Sequence, residues 1–555
     1  MTADADAVVI GSGPNGLVAA NVLADAGWSV VVLEASDSPG GAVRSGRLTA
    51  DGFVNDLFSS FYPLAAASPA IGRLSLEDWG LRWMRGPMVV AHPALDGSCP
   101  ALGTLEQTLA TLEPADRAGW TEMIDLWDRV GDTVLAGLTA PFPPVRAAAT
   151  IARRLRFAAT MDFARFTALP LRRLVAELRL SPLAARLIAG NALHADLSPE
   201  APGSGMFGWV LVGLARSVGF PVPEGGAGQL TAALVSRLEA KGGRVICGTP
   251  VERIEVQNGR ATGVRTLAGD LVSAHRAVLA AVGAPQLYQS LIGPRWVPDA
   301  VTRRIERFEY DSATVKVDWA LRAPIPWTAE NAREAPTIHV AESMDELTGN
   351  AAAMATGRVP AEPYLVMGQY SMVDATRQPA GAESAWAYTH VPQTITADEA
   401  GVVTGSWDDA DESAMCERVE HRIERLAPGF RDLIIERHVF TPRTIEQADR
   451  NLVGGAVNGG TAQLHQQFVF RPMAGVRRYS TPVADLFLAS ASAHPGGGVH
   501  GACGANAAAA ALSLRRRLRR AIESRRASIT DSSDGGSQAQ KEHAERHQNH
   551  EYDAR

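Results

Sequence analysis

The sequence predicts an α/β fold, a parallel sheet interrupted by a larger mixed lobe, and three stretches carry that prediction. Residues 8–34 read as strand, glycine turn, helix and strand. Residues 230–283 return to helix and strands, and residues 485–506 hold a last strand, a glycine turn and an alanine-rich helix. At 555 residues the chain exceeds one hydrophobic core and divides into lobes. Hydrophobic residues make up 46% and mean hydropathy is -0.04, a globular composition with ample core material. A net charge of -7 argues against a general nucleic-acid binder.

The first stretch begins with the buried-strand run Val8, Val9, Ile10 and passes into Gly11-x-Gly13-x-x-Gly16. Leu17, Ala20, Leu23 and Ala26 then recur at helical spacing until Gly27, and Val30 to Leu33 form a second strand ending in Glu34. The glycines let a backbone approach a pyrophosphate, the helix N-terminus offers free N–H groups, and Glu34, eighteen residues after Gly16, can accept ribose hydroxyls. The plain alternative, a βαβ unit whose glycines serve packing alone, leaves Glu34 unexplained. Beyond it, Pro39-Gly40-Gly41-Ala42-Val43-Arg44 offers a second close backbone approach and a cation suited to phosphate.

The run from Gly11 to Arg44 resembles the two-dinucleotide-binding-motif flavoproteins, which implies a Rossmann-like FAD-binding domain. The resemblance assigns Gly11, Gly13, Pro14, Asn15, Gly16, Glu34, Ala35, Gly40, Gly41, Ala42 and Arg44 to FAD. Residues 45–70 continue as a loop with short strands, which the resemblance carries past the flavin.

Between about 104 and 220 the pattern turns helical, with Leu105, Leu109 and Leu112, then Trp120, Met123, Ile124 and Trp127. Pro141, Pro143 and Pro144 break the run. Val145 to Ile188 is apolar and cationic, with Arg146, Arg153, Arg154, Arg156, Arg165, Arg172, Arg173, Arg179 and Arg186. Such a set suits an anionic membrane surface, and equally a solvated face over an ordinary helical cap. Leu193, Trp209, Leu211 and Leu214 suit a greasy pocket or plain core.

Pro223 to Gly228 is again a glycine turn, followed by a helix to Ala240 and a strand at 244–246. Strands 251–256 and 261–267 flank Asn258-Gly259, a hairpin signal, and a buried strand runs from 276 into Gly283. This order resembles the second half of the FAD domain in the phytoene desaturase and amine oxidase superfamily. It implies that the Val251 backbone meets the adenine and that Val282 and Gly283 lie by the diphosphate.

Residues 301–480 read as a second α/β lobe, a sheet roofing a substrate cavity. In the strand 312–321, Thr314, Lys316 and Asp318 share one face and Val315, Val317 and Trp319 the other. The glycine-rich loop 451–460 has no assigned place. At the C-terminal end, Gly496-x-Gly498-x-x-Gly501 fits the dinucleotide pattern but lacks a following strand and acid. It reads better as a helix N-terminus aimed at a negative group such as the flavin N1/O2 edge, with Gly498, Val499 and His500 assigned to the cofactor. Residues from about 527 are polar and charged, and a disordered tail is expected over 527–555.

Together these motifs resemble the phytoene desaturase family of FAD-dependent oxidoreductases, nearest to the group named pyridine nucleotide-disulfide oxidoreductase domain-containing proteins. The resemblance implies an FAD-binding domain over 1–70, 222–300 and 481–520, and a discontinuous α+β substrate domain with a helical cap over 71–221 and 301–480. It implies hydride transfer from a substrate C–H to flavin N5, giving a double bond in an apolar, isoprenoid or lipid-like small molecule. A flavin amine oxidase, an isomerase and a non-catalytic FAD/lipid-binding protein are the alternatives on this scaffold. Lys316, His494 and His500 are the polar groups nominated for catalysis, as proton acceptors or flavin-tuning donors. Against that, the histidines serve equally as caps of glycine turns, and Lys316 as a solvent-facing strand residue. Cys503 suits a covalent flavin link or a small buried position.

No metal site is expected. Four cysteines, Cys99, Cys247, Cys416 and Cys503, lie far apart, which favours a reducing compartment and lacks the dithiol of a disulfide reductase. A first strand near residue 7 leaves no room for a signal peptide, and no apolar run reaches the roughly 18 residues of a membrane span. The expectation is a cytoplasmic protein whose contact with a membrane is confined to its surface.

Overall fold

The parallel sheet starts with β1 (Ala3–Ile10), whose residues Ala7 to Ile10 are buried without alternation because layers cover both faces. Gly13 caps α1 (Pro14–Asp25), and Pro14 sits at its first turn, where a missing N–H costs nothing. Gly27, with φ +78°, ends the turn into β2 (Val30–Leu33), which is entirely buried. These elements belong to a computed structural model that describes residues 3–475 and 479–513. The chain forms two units, 1–508 and 509–555; everything below lies in the first, and of the second only 509–513 are described, as helix. The expected tail over 527–555 falls outside the described residues.

After short helices at 63–67, 69–72 and 105–110, a helical cap is built from α2 (Arg117–Thr139), α3 (Val145–Phe166), α4 (Leu171–Glu177), α5 (Pro182–His194) and α6 (Ser204–Ser217). On α2 the buried residues Trp120, Met123, Ile124, Trp127, Val130 and Val134 keep the helical period. Trp127 and Trp209 meet edge to face at 5.1 Å, and each indole N–H has a partner, Ser217 Oγ at 2.7 Å and the Met123 carbonyl at 3.0 Å. By contrast α3 is broken at Arg156 (φ +62°) and buries only Leu155 and Phe163. Those two side chains contribute about 5 kcal/mol, little against the ordering of so long a helix. The cap therefore holds α3 most loosely.

The chain then returns to the first sheet through α7 (Gly228–Ala240), β3 (Arg244–Ile246), the hairpin β4 (Val251–Gln257) and β5 (Arg260–Thr266), and β6 (Leu271–Ala280). A second sheet is built from β7 (Ala313–Leu321), β8 (Thr337–Val340), β9 (Leu365–Gln369) and β10 (Glu383–Val391). The helix α8 (Asp409–Leu426), β11 (Ile434–Phe440) and the returning β12 (Leu486–Leu488) come next. The first sheet has seven strands: β4-β5-β6-β1-β2-β3, with β12 parallel to the C-terminal end of β6. The second also has seven, in the order β11-β7-β10-β9-β8 followed by residues 90–91 and 101–102. All nine residues of β7 are buried, since β10 and β11 flank it and both faces are covered. The expected alternation is present, but neither face meets solvent. Among the described residues no helix is long and apolar enough to cross a membrane.

Candidate active site

The first glycine turn is held by Gly11 N–H donating to the Leu33 carbonyl at 2.8 Å. A Cβ on Gly16 would stand 2.1 Å from the Gly11 carbonyl oxygen, whereas one on Gly13 would meet nothing within 4 Å. Gly16 is thus required for packing, and Gly13, beside Pro14 and Asn15, leaves open backbone at the start of α1. Glu34, at the end of β2, accepts from Ser12 N–H at 2.8 Å, Ser12 Oγ at 2.6 Å and Ser36 N–H at 2.9 Å. A carboxylate has about four acceptor sites, so one remains for a ribose hydroxyl. Ala35 follows it directly.

Gly40 and Gly41 have φ of +125° and +54°, and a Cβ on Gly41 would lie 3.0 Å from Gly13 Cα, so the two glycine turns abut. Ala42 accepts from Ser59 through its carbonyl. Arg44 spends its N–H groups on the Gly41 and Ala448 carbonyls, at 2.8 and 2.9 Å, and so pins this turn. Val251 opens β4 two residues after Thr249, whose N–H donates to the Glu34 carbonyl at 2.7 Å. Val282 is buried, and Gly283 N–H donates to Asn451 Oδ1 at 3.1 Å, which gives the unplaced loop a position beside the turn after β6.

The second glycine run ends on the same place. Gly496, Gly498 and Gly501 all have positive φ, and residues 502–508 are helical. A Cβ on Gly504 would lie 1.8 Å from the Asn15 carbonyl oxygen, so this helix starts directly against the first turn of α1. Two positive helix ends therefore converge. Gly498 is exposed and Val499 half-buried on this turn.

His500 is buried; its Nδ1 accepts from Ala502 N–H at 3.0 Å, which puts its proton on Nε2, and Nε2 has no partner among the described residues. His494 donates from Nε2 to the Ala140 carbonyl at 3.1 Å, leaving Nδ1 bare. Burial pushes both histidines down to about 4, so both are neutral at pH 7. Cys503 donates to the Ala493 and Gly496 carbonyls, and burial pushes its thiol up to about 11. A glycine cradle, a carboxylate with a spare acceptor site and an unpartnered buried N–H together fit FAD.

Lys316 is only 3% exposed on β7. Its ammonium donates to Asp318 Oδ1 at 2.6 Å and to the Asp56 carbonyl at 2.9 Å, within 6.0 Å of the Trp386 and Phe440 rings. The solvent-facing reading of Lys316 is therefore excluded. Burial pushes Asp318 up to about 6, with Lys316 opposing.

Below it Asp56, fully buried, accepts from Arg377 at 2.6 Å, Tyr370 at 2.9 Å, Ser60 at 2.9 Å, Ser45 at 2.8 Å and Ala227 N–H at 2.7 Å. Burial opposes its charge, but Arg377 and these donors hold its carboxyl below the usual range. Arg377 also donates to Asp374 Oδ2 at 2.9 Å and to the Pro223 carbonyl at 3.1 Å. This knot ties the loop after the second glycine turn to both sheets. Sequence reasoning missed it, because Asp56 and Arg377 lie in unpatterned loops 321 residues apart.

Opposite Lys316 in register stands Tyr388 of β10, with Trp386 opposite Asp318 and His390 opposite Thr314. Trp386 and Tyr388 stack at 6.0 Å, and Phe61 meets Tyr370 and Trp386 at 5.9 Å each. An aromatic wall thus exists that no local sequence pattern displayed. Of the pocket-lining candidates, Trp209 and Leu214 are core, while Leu193 and Leu211 are half-buried against it. Arg186 does not belong to a surface cationic set: it is buried and donates to the Glu342 and His92 carbonyls and to Ser98 Oγ.

Comparison with known proteins matches residues 15–512 to the family of flavin-containing amine oxidoreductases. Mouse pyridine nucleotide-disulfide oxidoreductase domain-containing protein 2 is 28% identical over 91% of this chain and 92% of its own length. The neurosporene-forming phytoene desaturase of Cereibacter sphaeroides is 26% identical over 90% and 93%. Among solved structures, an oxidoreductase from Methanosarcina mazei superposes with a TM-score of 0.61 at 16% identity, over 91% of this chain and 99% of that one, a likeness of fold. The chain belongs to the flavin-containing amine oxidoreductase family and is an FAD-dependent oxidoreductase.

Proposed function

We propose that this oxidoreductase removes two hydrogens from adjacent carbons of an apolar, isoprenoid or lipid-like substrate, in the manner of a desaturase. The carrying observation is the wall itself. Phe61, Trp386 and Tyr388 belong to the same apolar cluster as Leu187, Ile188 and Trp209 of the cap, an environment suited to hydrocarbon. The phytoene desaturase relatives support the same reading. Bound FAD supplies the acceptor for the hydride.

The chain's part is to orient the substrate, exclude water and hold the proton lost from the neighbouring carbon. His494 suits that last role, since its Nδ1 is bare and neutral at pH 7. Lys316 suits it less, being an ammonium already tied to a carboxylate. His500 offers an N–H, a donor for electron density on the cofactor. An amine substrate is the second reading, favoured by the family's name and by the aromatic face.

Anaerobic bleaching of the flavin absorbance separates these readings. Isoprenoids or acyl lipids are expected to bleach it; bleaching by amines alone contradicts the proposal, and bleaching by none of these leaves a binding role.

We also propose that the cap docks on an anionic membrane surface. On α3, Val145, Phe157 (84% exposed) and Met161 stand in solvent. Arg146, Arg153 and Arg156 beside them make no ion pair among the described residues, whereas Arg154 and Arg165 pair with Asp132 and Glu177. Phe142, just before α3, meets Phe468 at 5.3 Å and His494 at 6.0 Å. A lipid-facing cap would thus adjoin the proposed proton acceptor.

A further inference from the structure

Tyr388, His194, Asp196 and His390 are enclosed by protein, yet each keeps some accessible surface. Their rings crowd together, His194 to Tyr388 at 6.3 Å and Tyr388 to His390 at 5.3 Å. Among the described residues neither Tyr388 Oη nor His194 Nε2 has a hydrogen-bond partner. The rest of the cluster is carefully satisfied. His390 Nε2 meets Asp196 Oδ1 at 2.9 Å, and Asn458 donates to Asp196 Oδ2.

His194 is held in one orientation by a rail of imidazoles. Its Nδ1 lies 3.1 Å from His339 Nε2, and His339 Nδ1 lies 3.1 Å from His92 Nε2. Among the described residues the rail leaves a ring nitrogen unpartnered at each end, His92 Nδ1, which is fully buried, and His194 Nε2, on the side of Tyr388. Burial pushes His194 down to about 4, so this nitrogen belongs to a neutral ring at pH 7.

Two polar atoms left unpaired against a pure hydrocarbon cost free energy, whereas one oxygen on the substrate satisfies both. Resting on the desaturase reading above, we infer that the substrate carries a hydroxyl or carbonyl oxygen, bound by Tyr388 Oη and His194 Nε2 at the aromatic wall. An ammonium is the poorer occupant. Asp196 already faces His390 and Asn458, and burial of His390 is outweighed by Asp196 and the neighbouring Asp311, which favour its protonated form. A second cation there would meet a carboxylate whose charge is taken.

The test compares phytol, its parent hydrocarbon phytane and phytylamine, each in matched detergent micelles with oxidised FAD-loaded protein. Calorimetry gives the affinity, and the shift of the flavin bands gives an independent signal. Phytol is expected to bind at least about tenfold tighter than phytane, one hydrogen bond's worth of discrimination. Tyr388→Phe, which keeps the stack on Trp386, should shrink that preference, by weakening phytol binding and by relieving phytane of the unpaired hydroxyl. His194→Asn serves as the second variant and should weaken the preference in the same direction.

Equal binding of phytol and phytane, or an unchanged preference in both variants, overturns the inference and leaves dehydrogenation of a hydrocarbon standing. Tightest binding by phytylamine overturns it in favour of an ammonium site. Binding of none of the three, with small amines bleaching the flavin, overturns the desaturase reading beneath it as well.

Discussion

His92, His194, His339, His494 and His500 all sit where burial holds the imidazole neutral well below its ordinary range, and three of them fall to about 4. An unfolded chain takes up these protons near pH 6.5, whereas in the native fold His194, His494 and His500 do so only near 4, so between those values the unfolded state binds more protons. For His194, His494 and His500 this amounts to about 3 kcal/mol each of stability at pH 7 that is lost as pH falls through this window, and His92 and His339 act in the same direction. Asp311 and Asp318, raised by burial to about 6, act in the opposite sense: their contribution is present at low pH and lost as pH rises through 6. A variant isolates one histidine from this sum. His500→Asn keeps a side-chain acceptor for Ala502 N–H but cannot titrate. Its melting temperature should drop less between pH 7 and pH 5 than that of the wild type; parallel drops would place the imidazole's proton elsewhere.

Among the elements, the N-terminal βαβ unit was legible because everything that defines it is local: the strand run, the glycines, the helix period and Glu34 lie within 27 residues, 8–34. The hairpin at Asn258-Gly259 and the α2 stripe were legible for the same reason. β7 was legible as an alternating strand but not as a buried one, since burial depends on β10 and β11, far along the chain. The arginine-rich region was legible only in part. Composition cannot tell Arg186, turned inward, from Arg146 or Arg153 on α3. Liposome flotation tests what α3 does. The protein should float with vesicles rich in phosphatidylglycerol and not with pure phosphatidylcholine. Arg146→Glu, Arg153→Glu and Arg156→Glu combined should abolish flotation while FAD content stays unchanged. Flotation equal on both vesicles would contradict an electrostatic dock.

At the scale of the molecule, the two sheets are joined by contacts that no local sequence pattern holds. Asp56 gathers Arg377, Tyr370, Ser45 and Ala227 from four segments, and the aromatic wall draws Phe61 from one loop and Trp386 and Tyr388 from β10. The cofactor was readable from short motifs because phosphate and ribose recognition is short-range; the substrate was not, because its walls are assembled from distant segments.

Product mass tests the central proposal most directly. After anaerobic turnover with a substrate that bleaches the flavin, the account predicts a product two hydrogens lighter, carrying a new carbon–carbon double bond and unchanged in nitrogen and oxygen. Release of ammonia with an aldehyde, or a product of unchanged mass, would contradict it.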